Sequence, residues 1–220
     1  MDTEPSLIRV PTKVSGFSLL ELVVVLAVLT VTASVAAFSL RSPRVYTSDR
    51  FVSAEEIVTS ASLVALRDAL LGTSQSPGLW PDLGGQPNFF PRTLASLFQS
   101  PTNLPLQLES YNPRTRLGWH GPYLARGGTL YVIDPTHGFT TDYGSTGDPI
   151  ALDGWGHPIV LQVPAVAGAS EGDAVRNARL VSAGPDGILQ TPRTRLTPSD
   201  LPLVLRGDDL VLFLQVKDLP

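Results

Sequence analysis

No cysteine occurs among the 220 residues, so the chain forms no disulfide and no thiolate zinc site. That absence leaves the compartment open, because exported domains need not be bridged. Basic residues are also scarce: 16 Lys and Arg stand against 20 Asp and Glu, a net charge of −4. No basic face therefore speaks for a nucleic-acid partner. Catalytic signatures are missing too. There is no Gly-x-Ser-x-Gly elbow, P-loop, His-Glu-x-x-His or dinucleotide glycine pattern. Gly144-Ser145-Thr146-Gly147 is a flexible turn with no neighbouring base, and the expectation is that the chain is not an enzyme.

Proline and glycine, in contrast, are plentiful, at 20 and 19 residues, almost all after residue 71. They predict a loop-rich C-terminal part with short strands. The apolar content of 43% is inflated by the first 40 residues, where one run stands out. Phe17 to Leu40 is 24 residues without Gly or Pro, enough for a helix across about 30 Å of hydrocarbon. Glu21 sits near the start of this run. A carboxylate at mid-bilayer costs roughly 2.5–3.5 kcal/mol, less near the end of the span, and a plain anchor gains nothing from it. Its presence points to a partner inside the membrane.

Three readings of the run compete. A secretory signal finds small residues for cleavage in Ser34-Val35-Ala36 and Val35-Ala36-Ala37. Its leader, however, sets Asp2 and Glu4 against Arg9 and Lys13 and carries no net positive charge. An uncleaved single-pass anchor is the second reading. Its orientation stays open, since Arg41, Arg44 and Arg50 follow the span as closely as Lys13 precedes it. The third rests on Lys13-Val14-Ser15-Gly16 followed by Phe17-Ser18-Leu19-Leu20-Glu21. This stretch resembles the cleavage site of type IV pilins and type II secretion pseudopilins. The resemblance implies that a membrane-embedded prepilin peptidase cuts between Gly16 and Phe17 on the cytoplasmic side and methylates the new terminus at Phe17. It also implies that Glu21 of one subunit pairs with the Phe17 amine of its neighbour and sets the register of a filament. The physics agrees: two opposite charges buried in one apolar layer offset each other's desolvation only when closely paired.

The expected fold is α+β: a long N-terminal helix, membrane-embedded in its first half, packed on a small antiparallel sheet with long loops. In domains this gives a leader at 1–16, a transmembrane and polymerisation helix at 17–42, its exposed continuation at 43–72 and a periplasmic globular domain at 73–220. Pro43 should interrupt or kink the helix. Ser53-Ala54-Glu55-Glu56 has capping-box spacing, and Gly72 is a C-terminal stop. Phe51, Ala54, Val58, Ala61, Ala65 and Leu70 are expected on the buried face. Beyond it, the patterns predict a short helix at 91–99 and strands at 129–133, 158–163, 178–182 and 210–216.

Three later segments are similar to a narrower branch, the major pseudopilin. They are Leu117-Gly118-Trp119-His120-Gly121-Pro122-Tyr123-Leu124, Asp153-Gly154-Trp155-Gly156-His157-Pro158, and Leu180-Val181-Ser182-Ala183-Gly184-Pro185-Asp186-Gly187. In the second, Gly154 stands where the family has proline and His157 where it has asparagine. The resemblance implies structural calcium (Ca2+) at the third, with carboxylates from Asp186 and from Asp208 or Asp209, Ser182, and the carbonyls of Leu180 and Pro185. The family pattern is broken by an insertion at 188–206 whose Arg193, Arg195 and Arg206 compete for those carboxylates. Asp134, Asp142, Asp148 and Asp153 lack EF-hand spacing and read as solvated loop carboxylates. His120, His137 and His157 lack the close pair of a zinc site and read as surface turn residues. Trp80, Trp119 and Trp155 read as pins between loops and core.

The resemblance implies a structural subunit of a type II secretion pseudopilus, a filament supporting protein secretion across the outer membrane. Its partners would be copies of itself, other pseudopilins, the prepilin peptidase and the inner-membrane assembly platform. It would be a single-pass inner-membrane protein with a cytoplasmic leader and a periplasmic C-terminal domain. Two alternatives remain: a minor pilin of a type IV pilus or DNA-uptake filament, and an anchored or secreted periplasmic calcium-stabilised binding domain that never polymerises.

Overall fold

The computed structural model describes residues 52–102, 104–125 and 129–216. The leader, the expected membrane helix and Pro43 lie outside the described residues. Helix α1 runs over Ala54–Leu71. As the sequence predicts, the Ser53 hydroxyl caps it by accepting from the Glu56 N–H at 3.2 Å, and Gly72 ends it with φ 81°. Leu70 is buried as expected, but the rest of the buried face differs. Thr59, Leu63, Leu66 and Leu70 are buried, whereas Ala54, Val58, Ala61 and Ala65 are exposed, and Phe51 lies outside the described residues. Both stripes have helical spacing, but three leucines bury far more apolar area than four small residues, so packing selects the leucine stripe.

Short helices follow at Leu79–Asp82 (α2), Glu171–Arg176 (α3) and Leu203–Arg206 (α4). The helix expected at 91–99 is a 3-10 turn over Leu94–Leu97. Strands β1 (Ile159–Gln162), β2 (Arg179–Ser182) and β3 (Leu210–Phe213) form an antiparallel sheet in the order β1-β2-β3. With the helices this is the expected α+β arrangement, with shorter strands. The strand expected at 129–133 is absent. Only the bridge between Leu130 and Pro149 forms there. Its hydrogen bond runs from Tyr131 N–H to Asp148 O, but the Asp148 N–H turns back to Ser145 O and Tyr131 O takes the Gly147 N–H instead, so the register is lost in a turn and no ladder grows.

Side chains alternate across the sheet. Ile159, Leu161 and Leu180 join α1, α2 and the 94–98 turn in the larger core, while Val160 and Val181 join Tyr131, Phe139 and Ile150 in a smaller one. The insertion is fastened to this sheet by a charge. Arg179 is fully buried, pairs in register with Gln162, and donates to Gln162 Oε1 (2.6 Å), Pro192 O (2.8 Å) and Arg195 O (3.0 Å). Gln162 Nε2 in turn donates to Thr191 O at 2.9 Å. Burial pulls the Arg179 guanidinium down to about 10, still cationic at neutral pH.

Candidate functional site

Gly16, Phe17 and Glu21, the processing and assembly residues, lie outside the described residues. What the structure does show is how α1 is bolted to the rest of the globular domain. Thr59, fully buried on α1, donates to Glu55 O at 2.8 Å and accepts the Gly154 N–H at 2.8 Å. A Cβ on Gly154 would run into the Glu55 carbonyl and the backbone around it. Both facts explain why glycine stands here in place of proline: proline has a Cβ and no N–H to give. Gly154→Pro is therefore expected to lower stability by about 2–4 kcal/mol, read as an earlier urea midpoint. Thr59→Val should lose about 1–2 kcal/mol, because it leaves the Gly154 N–H without its acceptor.

The turn carrying Gly154 is itself organised by Asp153. This side chain is 6% exposed, not a solvated loop carboxylate. Its Oδ1 accepts from the Trp155 and His157 N–H groups (3.0 and 2.8 Å), and its Oδ2 accepts from the Ser182 hydroxyl at 2.7 Å. His157 Nδ1 lies 2.9 Å from Gly184 O. Two of the three family-like segments, 153–158 and 180–187, are thus one packed unit at the end of β2. The other loop acids disperse. Asp134 caps the 135–137 turn and pairs with His137 at 2.6 Å, Asp142 pairs with Arg193 at 2.6 Å, and Asp148 accepts the Ser145 N–H at 2.7 Å. Contacts with Thr136 and His137 hold the Asp134 carboxyl below its ordinary range, and Arg193 does the same for Asp142.

The third segment, 117–124, sits elsewhere, against the 79–108 loops. Trp119 Nε1 donates to Ser96 O at 3.1 Å, and Gly118 N donates to Asp82 O at 2.7 Å. A Cβ on Gly118, whose φ is 108°, would collide with the Ser110 carbonyl. Tyr123 donates its hydroxyl to Asp82 Oδ2 at 2.6 Å, and burial pushes the phenol up, with Asp82 adding to the shift. Trp80 packs edge-on against Phe90, and its Nε1 donates to Gln86 O at 3.1 Å. Trp80 and Trp119 thus pin loops to core. His120 stacks on Tyr111 at 4.2 Å. Asp82 and Arg179 were not singled out from the sequence, because nothing local marks a polar residue as buried.

The side chains expected to hold calcium are engaged with groups of the protein itself. Leu180 is committed to ladders with Leu161 and Leu212, and the Ser182 hydroxyl is given to Asp153. Pro185 is exposed on the turn. Asp186 Oδ1 accepts the Ile188 N–H (2.7 Å) and its Oδ2 the Gln190 side-chain amide (2.8 Å). Asp208 Oδ2 accepts the Asp186 N–H at 3.3 Å. Asp209 Oδ2 accepts the N–H groups of Gln190 (3.0 Å) and Thr191 (2.6 Å). Among the described residues, no three His, Asp or Glu side chains gather in a way that would hold a metal. The insertion does claim these carboxylates, as its presence implied, but through amides and not through its arginines.

Asp209 is 8% exposed, and among the described residues its Oδ1 has no hydrogen-bond partner. Burial pushes its carboxyl up to about 6, against the pull of the Gln190 and Thr191 donors. The native state therefore binds this proton more tightly than the unfolded chain, where a carboxyl titrates near 4. Stability should then fall as pH rises from about 4 to about 6 and level off above, an effect on the order of 1–3 kcal/mol. Asp209→Asn should remove that slope from the melting temperature and raise it at neutral pH.

Residues 11–37 match the family model described as the prokaryotic N-terminal methylation motif. This is the signal of pilin-like precursors, membrane-anchored proteins processed by prepilin peptidase and assembled into pilus-like filaments. The match ends at residue 37, before the first described residue. Neither a curated protein nor a solved structure matches the chain. Among the described residues, no helix is long and apolar enough to cross a membrane.

Proposed function

We propose that this chain is a structural subunit of a type II secretion pseudopilus. The precursor spans the inner membrane once, with its leader cytoplasmic and its C-terminal domain periplasmic. Prepilin peptidase cuts after Gly16 and methylates Phe17. The mature chain then polymerises on the inner-membrane assembly platform with copies of itself and with other pseudopilins, through Glu21 and the Phe17 amine. The observation that carries this reading is the methylation motif over residues 11–37, with Glu21 inside its apolar run. The three loop segments favour the pseudopilin branch by resemblance.

Within the globular part, Thr59 on α1 accepts the Gly154 N–H, and Asp153 beside it accepts from Ser182 on β2, a helix-to-sheet junction that would suit a filament subunit. Deleting the gene tests the branch. Loss of protein release across the outer membrane, with surface pili and DNA uptake intact, is expected. The opposite pattern would move the protein to a pilus or DNA-uptake filament.

A further inference from the structure

The turn at 184–191 and the strand start at 207–209 are joined side by side, and every link between them is a donor of the chain itself. Gln190 is central. Its side-chain amide donates to Asp186 Oδ2, and its N–H donates to Asp209 Oδ2. The same side chain lies over Gly207, at φ 58°, where a Cβ would occupy the position of the Gln190 amide. The 188–206 insertion therefore begins and ends at one contact. We propose that the N–H groups of Asp186, Gln190 and Thr191, which donate to Asp208 and Asp209, form an internal latch that closes this turn onto the 208–209 segment without a divalent cation, while the Gln190 side-chain amide and the Ile188 N–H hold Asp186 in place within the turn.

The argument is one of competing charge. A calcium ion requires six to eight oxygens at about 2.3–2.6 Å with their lone pairs turned toward it. Here both Asp186 oxygens and one oxygen each of Asp208 and Asp209 face N–H hydrogens at 2.6–3.3 Å between heavy atoms. Those hydrogens carry positive partial charge, and four of the five belong to backbone. A cation entering between the carboxylates would have to break several of these bonds and turn the 186–191 backbone away. The latch also does what a bound ion would do: it cross-links two segments about twenty residues apart and so shortens the loop that must be ordered.

The test is thermal unfolding of the full chain in detergent, with excess EDTA and with excess calcium chloride. A ligand that binds only the native state raises the melting temperature by mass action. We expect one melting temperature for the natural sequence in both buffers. Gln190→Ala should melt about 3–6 °C lower in each. Gln190→Glu places a carboxylate beside Asp186 and removes a donor; it should melt lower in EDTA and recover with calcium. A calcium-dependent rise in the natural protein would overturn the latch. So would a Gln190→Glu variant as stable in EDTA as the natural chain.

Discussion

Arg179→Ala should cost the globular domain about 3–5 kcal/mol, the largest stability loss expected of any single change in it. The guanidinium sits in the central strand, and among the described residues no carboxylate pairs with it. Among the described residues its charge is met by the dipoles of Gln162 Oε1, Pro192 O and Arg195 O, and by the ring of Phe213 at 5.8 Å. Removing the side chain leaves these acceptors without their donor inside the fold and opens a void between β2 and the 191–195 strap. Each buried acceptor left unmet costs about 1–3 kcal/mol. Lysine is no substitute, because a single ammonium cannot reproduce the planar fork that spans three acceptors. Urea unfolding measures the loss directly. Arg176, exposed on α3 and paired with Asp173, is the control, with a change within about 0.5 kcal/mol on truncation. Equal midpoints for the two variants would show that the strap is not held through Arg179.

Glu21→Ala should leave membrane insertion intact and abolish ordered filaments. Alanine removes a charge that the bilayer disfavours, so partition into the membrane does not suffer. Assembly suffers instead. In the proposed filament, the Phe17 amine of each subunit is a cation in hydrocarbon whose only available counter-charge is the Glu21 carboxylate of a neighbour. Breaking a buried pair from one side is worth about 3–5 kcal/mol per contact. A contact repeated head to tail multiplies that loss along the filament. The chain contains no cysteine, so engineered cysteine pairs report neighbouring subunits without background. Crosslinked ladders should disappear in the variant while the membrane fraction still contains it. Glu21→Asp, which keeps the charge on a shorter stem, should restore ladders in part.

How much of this was legible in the sequence follows from how local each signal is. Ser53 and Gly72 bracket α1 as expected because caps are decided by residues within one turn. The strands at β1, β2 and β3 were visible as apolar runs between turn residues. The run at 129–133 has the same composition and forms no strand, since a strand needs a partner, and the facing segment turns away after one bridge as the Asp148 N–H goes to Ser145 O. The stripe of α1 was ambiguous because alanine fits either face of a helix. Packing against Leu97, Ile159 and Leu180 decided it. Asp153, Asp82 and Arg179 share a different obscurity. Each resembles an ordinary surface polar residue until the fold shows what surrounds it. The loop that resembles a calcium site shows a related limit: the carboxylates were legible, but the donors arriving from the insertion were not.

The central claim concerns the chain's first bond to be broken after synthesis, and mass spectrometry of the mature protein's N-terminal peptide tests it most directly. A chain beginning at N-methylated Phe17 is the result the account requires. A chain beginning at Ala37 or Phe38, or one that still carries Met1 and its leader, would contradict it and return the apolar run to an ordinary signal or anchor.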